Sequence, residues 1–319
     1  MKTAIVGLGV IGKLHAQILQ LQKREIVAVC DSDESKFSLC PGVAGYTDFK
    51  KMLEEVKPDV VHICTPHNLH TEMTIKALER NIHVLCEKPL CIGKEELSRV
   101  LEAEKNSSAR LGVCHQNRYN EFNLFVKNYI KNKKLVGGVG TVVWNRDEEY
   151  YRSGPWRGKW DTAGGGVLIN QALHTLDLLQ WFLGEPEFVA ASVSNLHLQG
   201  DIDVEDSVVA LFSGNSNFSF FATTGGLSDY PVEIMIKTEN EMIKILNEVV
   251  LINGMKKDFR KDARVYEKCC YGTGHEKLIA DFYDCVETGR RFEIDGKESA
   301  KVLRLIFGVY ESNGRKLSL

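Results

Sequence analysis

The sequence predicts an α/β protein: a doubly wound parallel sheet first, then an α+β domain with an open, mostly antiparallel sheet. Three observations predict it. Short β-branched runs alternate with longer helical patterns through the first third of the chain. Near residue 120 the alternation gives way to hairpin-spaced strands. A glycine-rich turn, Gly7-Leu8-Gly9-Val10-Ile11-Gly12, joins the first run to the first helical stretch.

In order, TAIVG (3–7) reads as a strand, and a helical stretch follows to about Lys23. EIVAVC (25–30), DVVHIC (59–64), IHVLCE (82–87) and ARLGVC (109–114) are further apolar runs bounded by turn signals. Strands buried on both faces read this way in parallel sheets covered by helices. Residues 70–80 and 94–106 have helical spacing between them, and right-handed crossovers then give a doubly wound fold. The second half begins with a helix at 121–132, a strand at 139–145 and an apolar helix over 164–181. Strands follow at 187–198, 206–213, 217–224, 232–238 and 241–246, and two helices close the chain at 274–288 and 296–312. The expected domains are 1–118 and 119–319.

The chain has 319 residues, 44% of them hydrophobic, and a net charge of -3. That balance argues against nucleic acid or an acidic membrane as partner. MKTAIVGLGVIG is too short and too glycine-broken for a signal peptide, and no apolar run reaches the ~18 residues of a membrane span. Nine cysteines, mostly in apolar runs and without a C-x-x-C pair, point to a reduced, cytoplasmic protein with no metal site.

The glycine turn follows a strand and opens a helix, the context that a dinucleotide-binding G-x-G-x-x-G requires. Gly7 permits the turn, Gly9 lets backbone amides approach a diphosphate, and Gly12 lets helix and strand pack. Val10 and Ile11 start the helix whose N-terminus favours the phosphate charge. Asp31, 19 residues after Gly12, stands where a carboxylate bonds the adenosine ribose. Asp31 and Asp33 would repel a 2′-phosphate, so NAD is expected ahead of NADP.

Thr65-Pro66-His67-Asn68-Leu69-His70, Cys86-Glu87-Lys88-Pro89-Leu90, Gln116-Asn117-Arg118-Tyr119, the segment Gly164–Asp177 and the ending EIDGKESAKVLRLIFGVYESNGRKLSL carry a family resemblance. Together they resemble the glucose-fructose oxidoreductase / inositol dehydrogenase (Gfo/Idh/MocA) family along essentially the whole chain. The resemblance implies an N-terminal Rossmann domain and a second domain whose sheet forms homodimers or homotetramers. It also implies NAD(P)-dependent oxidation of a sugar, cyclitol or nucleotide-sugar hydroxyl, or the reverse reduction. Two other functions fit the fold: a redox-neutral enzyme using NAD as a transient oxidant, and a dinucleotide-binding sensor.

Alcohol oxidation needs a group to take the hydroxyl proton. The resemblance implies Lys88 for that contact, followed by a Lys88-Pro89 bond that is often cis. Glu87 is expected to orient Lys88 or contact the nicotinamide ribose. His174, with a pKa near ~6.5, suits proton exchange. Asn170, one turn before it, stands where the family usually has aspartate; it can hydrogen-bond a hydroxyl but cannot take its proton. The base role then falls on His174 or Lys88. Asp177, a turn further on, either orients the imidazole or serves packing. Gly164, Gly165 and Gly166 are expected to admit a ligand to the backbone. Arg118, Trp156 and Arg157 are expected substrate contacts, with Trp160 a second flat face. Thr65, Pro66, Asn68 and His70 should line the cofactor riboses. Tyr271 and His275 are further candidates, and His15 belongs either to the nicotinamide site or to the surface.

Overall fold

The computed structural model describes residues 1–259, 274–312 and 314–319. Two compact units emerge: Met1–Gln116 with Arg264–Ala300, and Asn117–Ala263 with Lys301–Leu319.

In the first unit, β1 (Lys2–Val6), β2 (Glu25–Cys30), β3 (Ala44–Tyr46), β4 (Val60–Ile63), β5 (His83–Cys86) and β6 (Leu111–Val113) form one sheet. Its order is β3-β2-β1-β4-β5-β6, and every pairing is parallel. The order reverses between β1 and β4, which opens the crevice where such sheets bind ligands at the carboxyl ends of their strands. β4 is buried throughout, which explains its unbroken VVHI run. Helices α1 (Val10–Leu21), α2 (Phe49–Val56), α3 (His67–Leu78) and α4 (Lys94–Asn106) connect the strands. β3 and α2 are additions to the elements expected from sequence.

Helices α5 (Glu121–Ile130), α6 (Glu148–Arg152), α7 (Trp160–Ala163), α8 (Val167–Asn170) and α9 (Leu173–Leu183) belong to the second unit. Its sheet contains β7 (Leu135–Val143), β8 (Phe188–Ser194), β9 (Ser207–Ser213), β10 (Phe218–Thr223), β11 (Glu233–Thr238), β12 (Met242–Leu246), β13 (Val249–Ile252), β14 (Met255–Lys257) and β15 (Leu317–Ser318). The order is β14-β13-β12-β11-β7-β10-β9-β8-β15, antiparallel except where β7 pairs β10.

Two expectations need correction. The chain does not divide once near residue 118. Helix α10 (Gly274–Thr288) and the start of α11 (Gly296–Ser312) return to the first unit. The reason is packing: Tyr283 bonds Thr3 of β1 at 2.6 Å, Val113 N–H donates to the Ile294 carbonyl, and Phe282 meets Phe292 edge to face. Nor is 164–181 one helix. The Ala172 N–H reaches back five residues to the Val167 carbonyl, and a new helix starts at Leu173. Asn170 and His174 therefore lie on different helices.

Candidate active site

The glycine turn has a division of labour. A Cβ on Gly7 would stand 2.5 Å from the Cys64 carbonyl oxygen, and one on Gly12 would stand 1.8 Å from the Gly7 oxygen. Both glycines are required by packing. A Cβ on Gly9 would meet nothing within 4 Å, so the protein itself leaves that space open at the N-terminus of α1. Open space over helix N–H groups suits a diphosphate.

Asp31 ends the strand beside this turn. Its Oδ2 accepts from the Leu8 N–H at 2.7 Å, and its Oδ1 accepts from the Asp33 N–H and from Lys36 Nζ. Three of about four acceptor positions are thus used, and one is left for a ribose hydroxyl. Lys36 was not foreseen, because a half-buried lysine in a short 3-10 segment has no periodic signal.

Glu87 and Lys88 follow β5, and the Lys88-Pro89 bond is cis. Lys88 is half-buried, whereas Glu87 is buried. Glu87 Oε1 accepts from His15 Nε2 at 3.1 Å and from His275 Nε2 at 3.2 Å, and Oε2 accepts from the Lys88 N–H. Burial alone would push this carboxyl up, but the two histidine hydrogen bonds hold it well below its usual range. His15 is fully buried, which removes the surface reading. Among the described residues, His15, Glu87 and His275 are the one group of metal-ligand types gathered within 4.8 Å. Their two N···O spacings are hydrogen-bond distances.

Thr65, Pro66 and Asn68 are half-buried at the turn after β4 and the start of α3. His70 lies deeper. It is buried, and its Nδ1 and Nε2 lie 2.7 and 2.8 Å from the Pro89 and Thr65 carbonyl oxygens. His70 thus stands between the turn after β4 and the Lys88 turn, and a neutral ring donates to one of the two carbonyls at a time. Burial pushes its imidazole below the ordinary value, and the two carbonyls pull it partly back.

In the second unit, Arg118 and Asp177 form a two-pronged ion pair. Nε donates to Oδ2 at 2.8 Å and a terminal nitrogen to Oδ1 at 2.6 Å, with both side chains at most 4% exposed. Two nitrogens of the Arg118 guanidinium are thus directed at Asp177. The glycine triplet is corrected. A Cβ on Gly165 would stand 2.1 Å from the Tyr310 hydroxyl, and one on Gly166 would stand 1.8 Å from the Glu205 carbonyl oxygen. Packing within this unit, rather than a ligand, accounts for those two glycines. The Glu205 carboxylate accepts from the Gly166 and Leu168 N–H groups and the Tyr310 hydroxyl, and burial pushes its pKa up to about 7.

Asn170, Trp156 and Arg157 come together around Tyr150. Arg157 donates to the Tyr150 hydroxyl, and its guanidinium lies 4.5 Å from the Tyr150 ring and 4.7 Å from the Trp156 ring. Gln171 Nε2 donates to the same hydroxyl at 3.0 Å, and Asn170 Nδ2 stands 3.5 Å away. Trp160 is held by its indole N–H to the Asp203 carbonyl. His174 is half-buried on α9. Tyr271 lies outside the described residues. Tyr150, Gln171, Glu205 and Tyr310 carry no motif, and only their contacts reveal them.

The geometry defines a two-unit α/β protein with a dinucleotide-type glycine turn and a lysine turn at the carboxyl end of one parallel sheet. Residues 1–115 match a profile described as "Oxidoreductase family, NAD-binding Rossmann fold", and residues 130–243 match the GFO/IDH/MocA C-terminal domain. The chain belongs to the Gfo/Idh/MocA family. It is 31% identical over 196 residues to a D-glucoside 3-dehydrogenase of Escherichia coli K12, covering 58% of this chain and 55% of that protein. It is 26% identical over 236 residues to a myo-inositol 2-dehydrogenase of Thermotoga maritima, covering 67% of this chain and 66% of that protein. The matches span about half to two thirds of these curated relatives. Among solved structures, the WlbA dehydrogenase of Bordetella pertussis in complex with NADH and UDP-GlcNAcA superposes with a TM-score of 0.87 at 26% identity, covering 100% of this chain and 98% of that one.

The Arg118–Asp177 pair yields a stability prediction. Arg118→Met removes the two-pronged partner of a buried carboxylate and should cost about 3–5 kcal/mol in denaturant unfolding. Arg118→Met with Asp177→Leu should recover most of that loss. A double variant as unstable as the single one would show that the pair is not the source of the cost.

Proposed function

We propose that this protein is an NAD-dependent oxidoreductase. It moves a hydride between nicotinamide and a hydroxyl or keto carbon of a sugar, cyclitol or nucleotide sugar. The observation that carries this reading is the open space over Gly9 at the start of α1, in the same unit as the Lys88 turn. The N–H groups of that turn bind the diphosphate, and the remaining acceptor position of Asp31 takes a ribose hydroxyl. NAD is the expected form because Asp31 and Asp33 disfavour a 2′-phosphate and Lys36 is already paired with Asp31. Bound nicotinamide supplies the hydride acceptor or donor. Lys88 contacts the reacting hydroxyl, and Lys88 or His174 exchanges its proton. Asn170 contributes hydrogen bonds, while Trp156 and Arg157 supply a flat face and a donor fork. The sugar-like substrate class is supported by the glucoside, inositol and UDP-GlcNAcA names of the relatives.

The sheet of the second unit supports a homodimer or homotetramer. On β9, Val208, Ala210 and Phe212 are buried, yet the opposite-facing Val209 and Leu211 are 54% and 60% exposed. Phe221 and Met242 extend that apolar face. A one-sided sheet should alternate apolar with polar residues, so exposed large apolar side chains on the outer face support an association surface. The seven described cysteines are all free, which favours a reducing compartment such as the cytoplasm.

A panel of sugars, inositols and nucleotide sugars with NAD and NADP, read at the reduced-nicotinamide absorbance, tests the activity. Turnover with NAD on at least one member is expected, and Lys88→Ala should lower kcat/KM by about 10²–10⁴. Undiminished turnover in that variant would remove Lys88 from the mechanism. For the assembly, Leu211→Asp should shift the sedimentation of the protein to that of a monomer; an unchanged profile would place the contact elsewhere.

A further inference from the structure

Glu87 anchors a chain of buried polar groups that reaches far beyond the lysine turn. His15 Nδ1 lies 2.8 Å from His62 Nδ1, His62 Nε2 lies 3.1 Å from the Tyr283 hydroxyl, and that hydroxyl lies 2.6 Å from Thr3 Oγ1. All four of these side chains are essentially inaccessible to solvent. The bond directions follow from the carboxylate end. A carboxylate only accepts, so His15 donates through Nε2–H. Only one of the two facing Nδ1 atoms can carry the proton between them, and where His62 donates through Nδ1–H, His15 accepts at Nδ1. His62 in turn accepts at Nε2 from the Tyr283 O–H, and Tyr283 accepts from Thr3. Burial pushes the His62 and His275 imidazoles below their ordinary values, in keeping with neutral rings.

Glu87 therefore faces three donors: His15, His275 and the Lys88 N–H. Three donors take three of a carboxylate's about four acceptor positions. In that arrangement of protons the three carry no formal charge, so they hold the carboxylate without cancelling its charge. The anion also lies at the cofactor end of the sheet. It follows β5, its N–H bonds the Ile63 carbonyl, and its charge helps to push up the buried thiol of Cys64, whose backbone packs on Gly7.

We infer that Glu87 is a fixed, hydrogen-bonded anion whose role is to favour the oxidised, positively charged nicotinamide over the reduced, neutral one. Histidines 15 and 62 are positioning residues for that charge. The inference rests on the proposed NAD-dependent function. It predicts a difference between two ligands of nearly the same shape, which a purely structural Glu87 would not produce.

The test is calorimetric titration of the intact protein with NAD+ and with NADH, for wild type and Glu87→Gln. The variant should raise the Kd for NAD+ roughly tenfold relative to that for NADH, the order expected for losing one buried unit charge near another. Equal changes in both constants would overturn the inference and leave the dinucleotide site standing. Failure of the wild type to bind either nucleotide would overturn both. Because Glu87→Gln places an amide among donors and can unfold the unit, the wild type supplies a second measurement. Imidazole 15N shifts should show His15 protonated only at Nε2 and His62 only at Nδ1. A doubly protonated His15 would neutralise Glu87 and contradict the inference.

Discussion

The first unit is organised around one buried negative charge. An unpaired carboxylate taken out of water costs several kcal/mol, and Glu87 escapes that cost only because donors converge on it from separate elements. α1 supplies His15, α10 supplies His275, and the lysine turn supplies its own N–H. β4 and α10 then orient His15 through His62 and Tyr283. This explains why a helix that begins at residue 274 completes a sheet that begins at residue 2. Without α10, Glu87 would lose one donor and the chain to His15 would lose its outer end.

The second unit solves similar problems with different chemistry. Glu205 caps the N–H groups behind the glycine triplet, and burial leaves its carboxyl close to neutrality in protonation. Arg118 and Asp177 neutralise each other directly. Around Tyr150, the residues expected to meet substrate already make contacts with one another.

Features carried by local chemistry were legible in the sequence. The glycine turn, Asp31, the alternation of buried strands with helices and the lysine turn each follow from residues close together in the chain. Pairings between distant residues were not legible. Helical spacing placed Asp177 near His174, but nothing in the spacing discloses that Arg118, 59 residues earlier, takes the carboxylate. Periodicity assumed one helix through Gln171 and Ala172, where the backbone in fact switches to a wider turn. Three-residue strands such as β3 and β14 are too short to show a period. The glycine triplet was read as an opening for a ligand because a sequence cannot show that Tyr310 and Glu205 fill the space.

The central claim, a nucleotide site built over Gly9, is tested most directly by separating folding from binding. In Gly9→Val the added side chain starts in space that no protein atom occupies, and the backbone angles there, φ -68 and ψ -163, suit any residue. The variant should melt within a degree or two of wild type while its NAD affinity falls at least about tenfold, as expected if a ligand fills that space. Retained NAD affinity in the folded variant would contradict the account.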